Sequence, residues 1–244
     1  MSHVLLLDTT ISGVACAVVN IGDAVRIAPK SVEIFQDSSP TGSAVSVSAL
    51  VHSALSSSGI TIRDISAILV GVGPGSFTGT RVGLAFVAGL EAGLAGTDGH
   101  SRLKITGVDA LYCAAKWLAS SRDATVRLVL SSTRTIGFIA EYGPGVSAER
   151  SRQVDLAELE AAQGQTVELA GKWDAMEEIV TRRGGRVGSL AVSEVSRFAM
   201  YGMAEHVSEL AQQSQLASAG AGSVSRLPEP VYLRRSTVEE ALRR

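Results

Sequence analysis

The residues best placed to do chemistry stand in one stretch, GVGPGSFTGTRVGLAFVAGLEAGLAG, from Gly71 to Gly96. An apolar run feeds a glycine-rich turn and the turn feeds a helix, an order that can cradle phosphate on free backbone amides. Two familiar versions of that device are excluded. A Walker loop needs a lysine and a Ser/Thr after its last glycine, whereas Gly79 is followed by Thr80 and Arg81, and no lysine stands between Lys30 and Lys104. A dinucleotide fingerprint needs a third glycine where this chain has Ser76, and Pro74 sits inside the turn. What remains is a helix N-terminus capped by Ser76 or Thr78, with amides pointing outward.

Other chemistries find less support. His3, His52, His100 and His206 are far apart and form neither HxxxH nor HExxH, so no metal site is expected. Neither Ser76 nor Ser131 lies in a GxSxG elbow. Cys16 and Cys113 lie in apolar stretches without metal spacing and are expected as reduced core residues. Asp8 ends an apolar run and precedes Thr9 and Thr10. It either caps its own turn or, with the amides near Ser76, holds phosphate.

The elements that must position these groups follow from pattern. HVLLLDTT, GVACAVVN and SVEIFQ read as three successive strands, and residues 42 to 58 as a helix stopped at Gly59. AILVGVG is apolar throughout, as a strand covered on both faces would be. Phe77 to Leu94 reads as a helix, KITGV as a strand and DALYCAAKWLAS as a helix. A second block offers strands in TVRLVLSS and TIGFIAEYG joined near Arg134, a helix around KWDAMEEIVTRRGG, a longer one from Ser189 to about Gln213, and a polar loop in QQSQLASAGAGSVS. The order implies an α/β fold, a mixed sheet with helices packed on it, of the ribonuclease-H-like kind.

Composition bounds the partners. The 244 residues are 45% apolar and 19% charged, with a net charge of -2. That charge lacks the basic excess of a protein gripping many phosphates alone, so RNA contact is expected through a partner. No targeting or membrane-spanning stretch is legible, and a cytoplasmic location is expected.

The glycine-rich helix has two small or apolar stripes. Gly79, Gly83, Phe86, Leu90 and Gly93 form one, and Thr78, Val82, Ala85, Gly89 and Ala92 a neighbouring one. Each helical glycine costs up to roughly 1 kcal/mol relative to alanine, so close approach of another backbone is the expected compensation.

GVGPGSFTGTRVG closely resembles the signature of the TsaB family, also called YeaZ. LLLDTTISGVACAVV is similar to that family's opening strands, GVDALYCAA to its passage into the next helix, and PEPVYLRR to its closing segment. The chain departs from the family pattern at Ser131, Ser132 and Thr133, where relatives carry Asp-Ala-Arg, and near Ser43, where relatives carry a His-Ser pair. The resemblance implies the two-lobed fold of the actin-like ATPase (ASKHA) superfamily, with lobes at residues 1 to 106 and 107 to 244, the end of the chain packing back. It implies a non-catalytic subunit in threonylcarbamoylation of tRNA adenosine 37, partnered by TsaD and TsaE, with tRNA reached through the complex and a homodimer when alone. The partner surface would comprise Gly75, Ser76, Phe77, Thr78, Gly79, Arg81, Val82, Gly83, Phe86, Leu90 and Gly93, and Gly83→Leu would block association while leaving the chain folded. No cofactor is expected on this chain alone, with ATP or ADP placed at the complex interface. The alternative is a small nucleotide-binding or nucleotide-hydrolysing enzyme of the same fold, touching nucleotide through Asp8, Ser76 and Arg81.

Overall fold

The computed structural model describes residues 2–22, 32–38, 43–95, 103–133, 136–146, 150–155, 166–171, 186–212 and 228–229. The first sheet is built from β1 (Ser2–Asp8), β2 (Val14–Ile21), β3 (Phe35–Asp37), β4 (Ile65–Gly71) and β5 (Lys104–Val108), in the order β3-β2-β1-β4-β5. β1 runs antiparallel to β2 and parallel to β4, so the apolar end of β1 and the glycine turn after β4 emerge side by side. The helices of this half are α1 (Ser43–Ser57), α2 (Phe77–Leu94) and α3 (Ala110–Arg122).

Alternation along β1 explains its unbroken apolar run. Leu5 and Leu7 pack with α1 and α2 on one face, while Val4 and Leu6 pack on the other. All four are fully buried, and a buried side chain of this size contributes roughly 1.5 to 3 kcal/mol. A strand covered on both faces has no solvent face to mark with polar residues.

The second sheet contains β6 (Val126–Ser131), β7 (Ile136–Tyr142), β8 (Arg152–Asp155), β9 (Thr166–Ala170) and β10 (Arg186–Leu190), followed by α4 (Val192–Gln212). Its order, β10-β9-β6-β7-β8, is the order of the first sheet read from the other edge. The pairings repeat as well: β6 is antiparallel to β7 and parallel to β9, as β1 is to β2 and β4. The two sheets therefore share one topology.

α3 and α4 form the layer between the sheets. Leu111, Leu118 and Ala199 join Leu128 and Leu130 of the second sheet in one core, and Cys113, Met200 and Met203 join Val4 and Leu6 of the first in another. The helices touch closely, since a Cβ on Gly202 would lie 2.0 Å from the Cys113 carbonyl oxygen. Trp117 stacks on Phe198 at 4.8 Å between centroids, and Lys116 pairs with Glu209. Burial raises the Cys16 thiol to about 12 and pushes Cys113 higher still, so both are thiols in the core.

Three expectations require adjustment. A lobe boundary after residue 106 cuts β5, all five residues of which pair with β4. A helix from Ser189 starts too early: Arg186–Leu190 is a strand bonded to β9, and the helix begins at Val192 with the Glu194 carboxylate accepting from the Ala191 amide. β8 and β9 were not expected at all; β9 carries Glu168 in its centre, which breaks the apolar run. Arg134, His100, the 172–185 stretch and the closing YLRR lie outside the described residues. Among the described residues, no helix is long and apolar enough to cross a membrane.

Candidate interaction site at the glycine turn and α2

The β1–β2 turn, the turn after β4 and the first two turns of α2 form one interlocked unit. Asp8 is 1% exposed and organises the first turn. Its Oδ1 accepts from the Thr10 amide at 3.0 Å and the Thr10 hydroxyl at 2.6 Å, and its Oδ2 accepts from the Ile11 amide at 3.3 Å. Desolvation raises the Asp8 pKa above its ordinary 3.8, with the bonds from Thr10 and Ile11 working in the other direction. This is the turn-capping role. With both oxygens engaged and buried, Asp8 presents no exposed carboxylate to a phosphate-bound cation.

The second turn is held from two sides. The Val72 amide donates to the Val108 carbonyl at 2.9 Å, the Ala110 amide to the Gly73 carbonyl at 3.2 Å, and the Ser76 amide to the Thr10 carbonyl at 2.6 Å. Ser76 is the N-cap of α2, its hydroxyl accepting from the Gly79 amide at 3.0 Å. Thr78, the other capping candidate, is exposed on the first helical turn.

The spacing of the glycines now has a physical reason. A Cβ on Gly75 would lie 2.0 Å from the Thr10 carbonyl oxygen, one on Gly79 1.8 Å from the Thr9 carbonyl oxygen, and one on Gly83 2.4 Å from Thr9 Oγ1. Thr9 also donates its hydroxyl to the Gly79 carbonyl at 2.7 Å. Residues four apart share a helix face, so Gly79 and Gly83 with the preceding Gly75 form a groove into which Thr9 and Thr10 settle. The compensation for helical glycine is thus made within the chain. Gly83→Leu would drive a side chain into Thr9, so the expectation that it leaves the fold intact is corrected. The sequence signal missed was the pair Thr9-Thr10, read only as a turn.

The remaining expected interface residues divide by face. Val82, Phe86 and Leu90 are half-buried against the core under α1 and α2. Ser76, Thr78, Arg81 and Gly93 are exposed, and Phe77 is half-buried. The Arg81 guanidinium lies 3.8 Å from the Phe77 ring centroid, a cation–π contact on the first turn. Ala85, Gly89 and Ala92 are exposed beside them, and a Cβ on Gly89 or Gly93 would meet nothing within 4 Å. One side of α2 is committed to its own chain and the other is open.

The family profile described as TsaD, tRNA N6-adenosine threonylcarbamoyltransferase, matches residues 42–96, which is the unit α1–β4–α2. The tRNA threonylcarbamoyladenosine biosynthesis protein TsaB of Escherichia coli (strain K12) is 34% identical over 95 residues. That match spans 38% of this chain and 38% of the relative. A crystal structure from Pseudomonas aeruginosa, of an uncharacterized protein with similarity to peptidase YeaZ, superposes with a TM-score of 0.65 at 20% identity, covering 96% of this chain and all, 100%, of the other. YeaZ from Pseudomonas aeruginosa gives 0.64 at 19% identity, with the same coverage. The chain is similar to TsaB in sequence over that 95-residue stretch and to the two YeaZ-type structures in fold along nearly its whole length. The TsaB/YeaZ fold extends through both sheets, whereas the sequence kinship is local. The architecture shared with those structures is the pair of mixed sheets flanked by helices described above. Among the described residues, no three His, Cys, Asp or Glu side chains are grouped to hold a metal ion.

Proposed function

We propose that this chain is a non-catalytic subunit of the machinery that makes threonylcarbamoyladenosine at position 37 of tRNAs reading codons that start with A. It binds TsaD, with TsaE joining the assembly, and reaches tRNA through the complex. The observation that carries this reading is the open face of α2, formed by Thr78, Arg81, Ala85, Gly89, Ala92 and Gly93. It presents small residues to which another helix can approach closely, with an Arg–Phe pair at one end, and residue types such as Arg and Phe anchor interfaces. Its opposite side is occupied by Thr9. The same face supplies the self-contact of the isolated chain, through a two-fold pairing of α2. ATP or ADP belongs to the joint of the complex in this reading, since Asp8 is engaged in its own turn.

The test is reconstitution with TsaD, TsaE, TsaC as the source of the carbamoyl donor, tRNA, threonine, bicarbonate and ATP, comparing the wild-type chain, no chain and Gly89→Arg. Modification is expected only with the wild-type chain, and Gly89→Arg should fold but fail to co-elute with TsaD. Modification indifferent to the chain would overturn the subunit reading. A Gly89→Arg chain that still co-elutes with TsaD would move the contact off α2.

A further inference from the structure

An open surface depression of about 360 Å³, with Ser120, Asp123, Ala124 and Pro144 exposed along it, lies between the end of α3 and the turn after β7. Ala119, Ala124, Pro144 and Val146 supply its apolar wall, and Ser120, Asp123 and Tyr142 its polar side chains. Gly143 completes the lining, and none of the described lining residues is a cation. Asp123 is the only charge among the lining residues, and it makes no ion pair or hydrogen bond through its carboxylate among the described residues.

The backbone adds to the negative potential. α3 closes with the Asp123 and Ala124 amides both donating to the Ala119 carbonyl. The carbonyls of Ser120, Ser121 and Arg122 are left beyond the last backbone donor, the negative end of the helix dipole. Asp123 occupies the left-handed position at that end, φ 49 and ψ 47, where glycine or asparagine is the common choice and a carboxylate meets unfavourable potential. Arg122, the basic residue of the last turn, is turned to Glu168 of β9. The Tyr142 and Ser120 hydroxyls have no partner among the described residues either.

We infer that this depression binds an alkylammonium group, with Asp123 and the end of α3 receiving the charge and Ala119, Ala124 and Val146 packing the alkyl stem. The volume falls near the lower end of the roughly 300–1,000 Å³ range of small-molecule pockets, enough for a side-chain-sized ligand. A lysine side chain and a free polyamine share this chemistry.

The test uses the full chain and two probes, spermidine and an acetylated, amidated Gly-Lys-Gly peptide, with n-butanol as the uncharged control. Amide NMR shifts should saturate around Ser120 to Ala124 and Gly143 to Val146 with an ammonium probe and not with butanol. Asp123→Asn, which keeps a residue suited to the left-handed position, should weaken binding about tenfold, the effect of losing one charged hydrogen bond. Ala124→Leu, which fills the depression without touching the charge, should weaken it as well. Tighter peptide binding would assign the site to a protein lysine, and tighter spermidine binding to a free polyamine; both uphold the ammonium site. Absence of saturable shifts with either probe, or binding unchanged in Asp123→Asn, would overturn it.

Discussion

At the end of β1 the chain buries a carboxylate; at the topologically equivalent end of β6 it places Ser131. Both turns lead from the central strand of their sheet into an antiparallel neighbour, yet they are closed differently. In the first lobe, Asp8 gathers Thr10 and Ile11, and Thr9 and Thr10 are then pinned to α2 by the Thr9 hydroxyl, the Ser76 amide and the glycine groove. In the second, the Ser132 and Thr133 amides donate to the Ile136 carbonyl and the Thr133 hydroxyl accepts from the Ile136 amide, all within the hairpin. One topology can thus end in a turn tied to a distant helix or in a turn whose described backbone bonds run back to the strand that follows it. The stretch from Gly71 to Gly83 belongs to the tied version, which is why it is glycine-rich.

The comparison breaks most visibly at Gly79. Gly79→Ala sets a Cβ 1.8 Å from a backbone oxygen, and overpacking of that severity should lower unfolding free energy by about 3 kcal/mol. Gly89→Ala, on the same helix and facing open space, should instead raise it by about 0.5 to 1 kcal/mol. Urea unfolding of both variants reads the contrast, and equal effects would refute the groove.

Asp8→Asn comes next, at roughly 1.5 to 3 kcal/mol for a buried charge-accepting turn. Its pH dependence has a definite sign. Burial raises the folded-state pKa above 3.8, so the folded chain holds a proton that the unfolded chain releases. That contribution is fully present below the unfolded value and is lost as pH rises through the folded one. The stability gap between wild type and Asp8→Asn should therefore be widest in acid and narrow as pH rises from about 4. A gap that widens over that interval would mean the turn prefers the ionised carboxylate.

Smaller effects sharpen the contrast. Thr9→Val removes one buried hydrogen bond while keeping the shape, and should cost about 1 kcal/mol. Thr133→Val, in the turn of the second lobe, is half-buried and should cost about 0.5 kcal/mol by the same measurement. A larger loss at Thr133 than at Thr9 would reverse the assignment of which turn carries the fold.

Much of the first lobe was legible because its pattern is local. VLLL, AILVG and VACAVV are continuous apolar runs bounded by turn formers, and α2 and α3 announce themselves with Ser76 and Asp109 as caps. The second lobe was legible where the same signal exists, in β6 and β7, and illegible in β9 and β10. RVGSL has no apolar run of its own, and becomes a strand by pairing with β9, where Gly188 stands opposite Glu168. Glu168 looks like a surface residue until Arg122 reaches it from α3. In the candidate site, the two stripes of α2 were visible by helical periodicity, but which one faced inward was not.

Sequence alone determined the α/β class, the first five strands and the order of the helices between them, and narrowed the α2 cap to Ser76 or Thr78 and Asp8 to a turn or a phosphate contact, because each follows from contacts within a few residues. Tertiary structure alone decided what the glycines are for. Gly79 and Gly83 meet Thr9, with 70 positions between Thr9 and Gly79 along the chain, and no periodicity within α2 encodes which neighbour fills its groove. It also left Gly89 and Gly93 facing outward, since a helix packed on one side by its own chain has only the other side to offer.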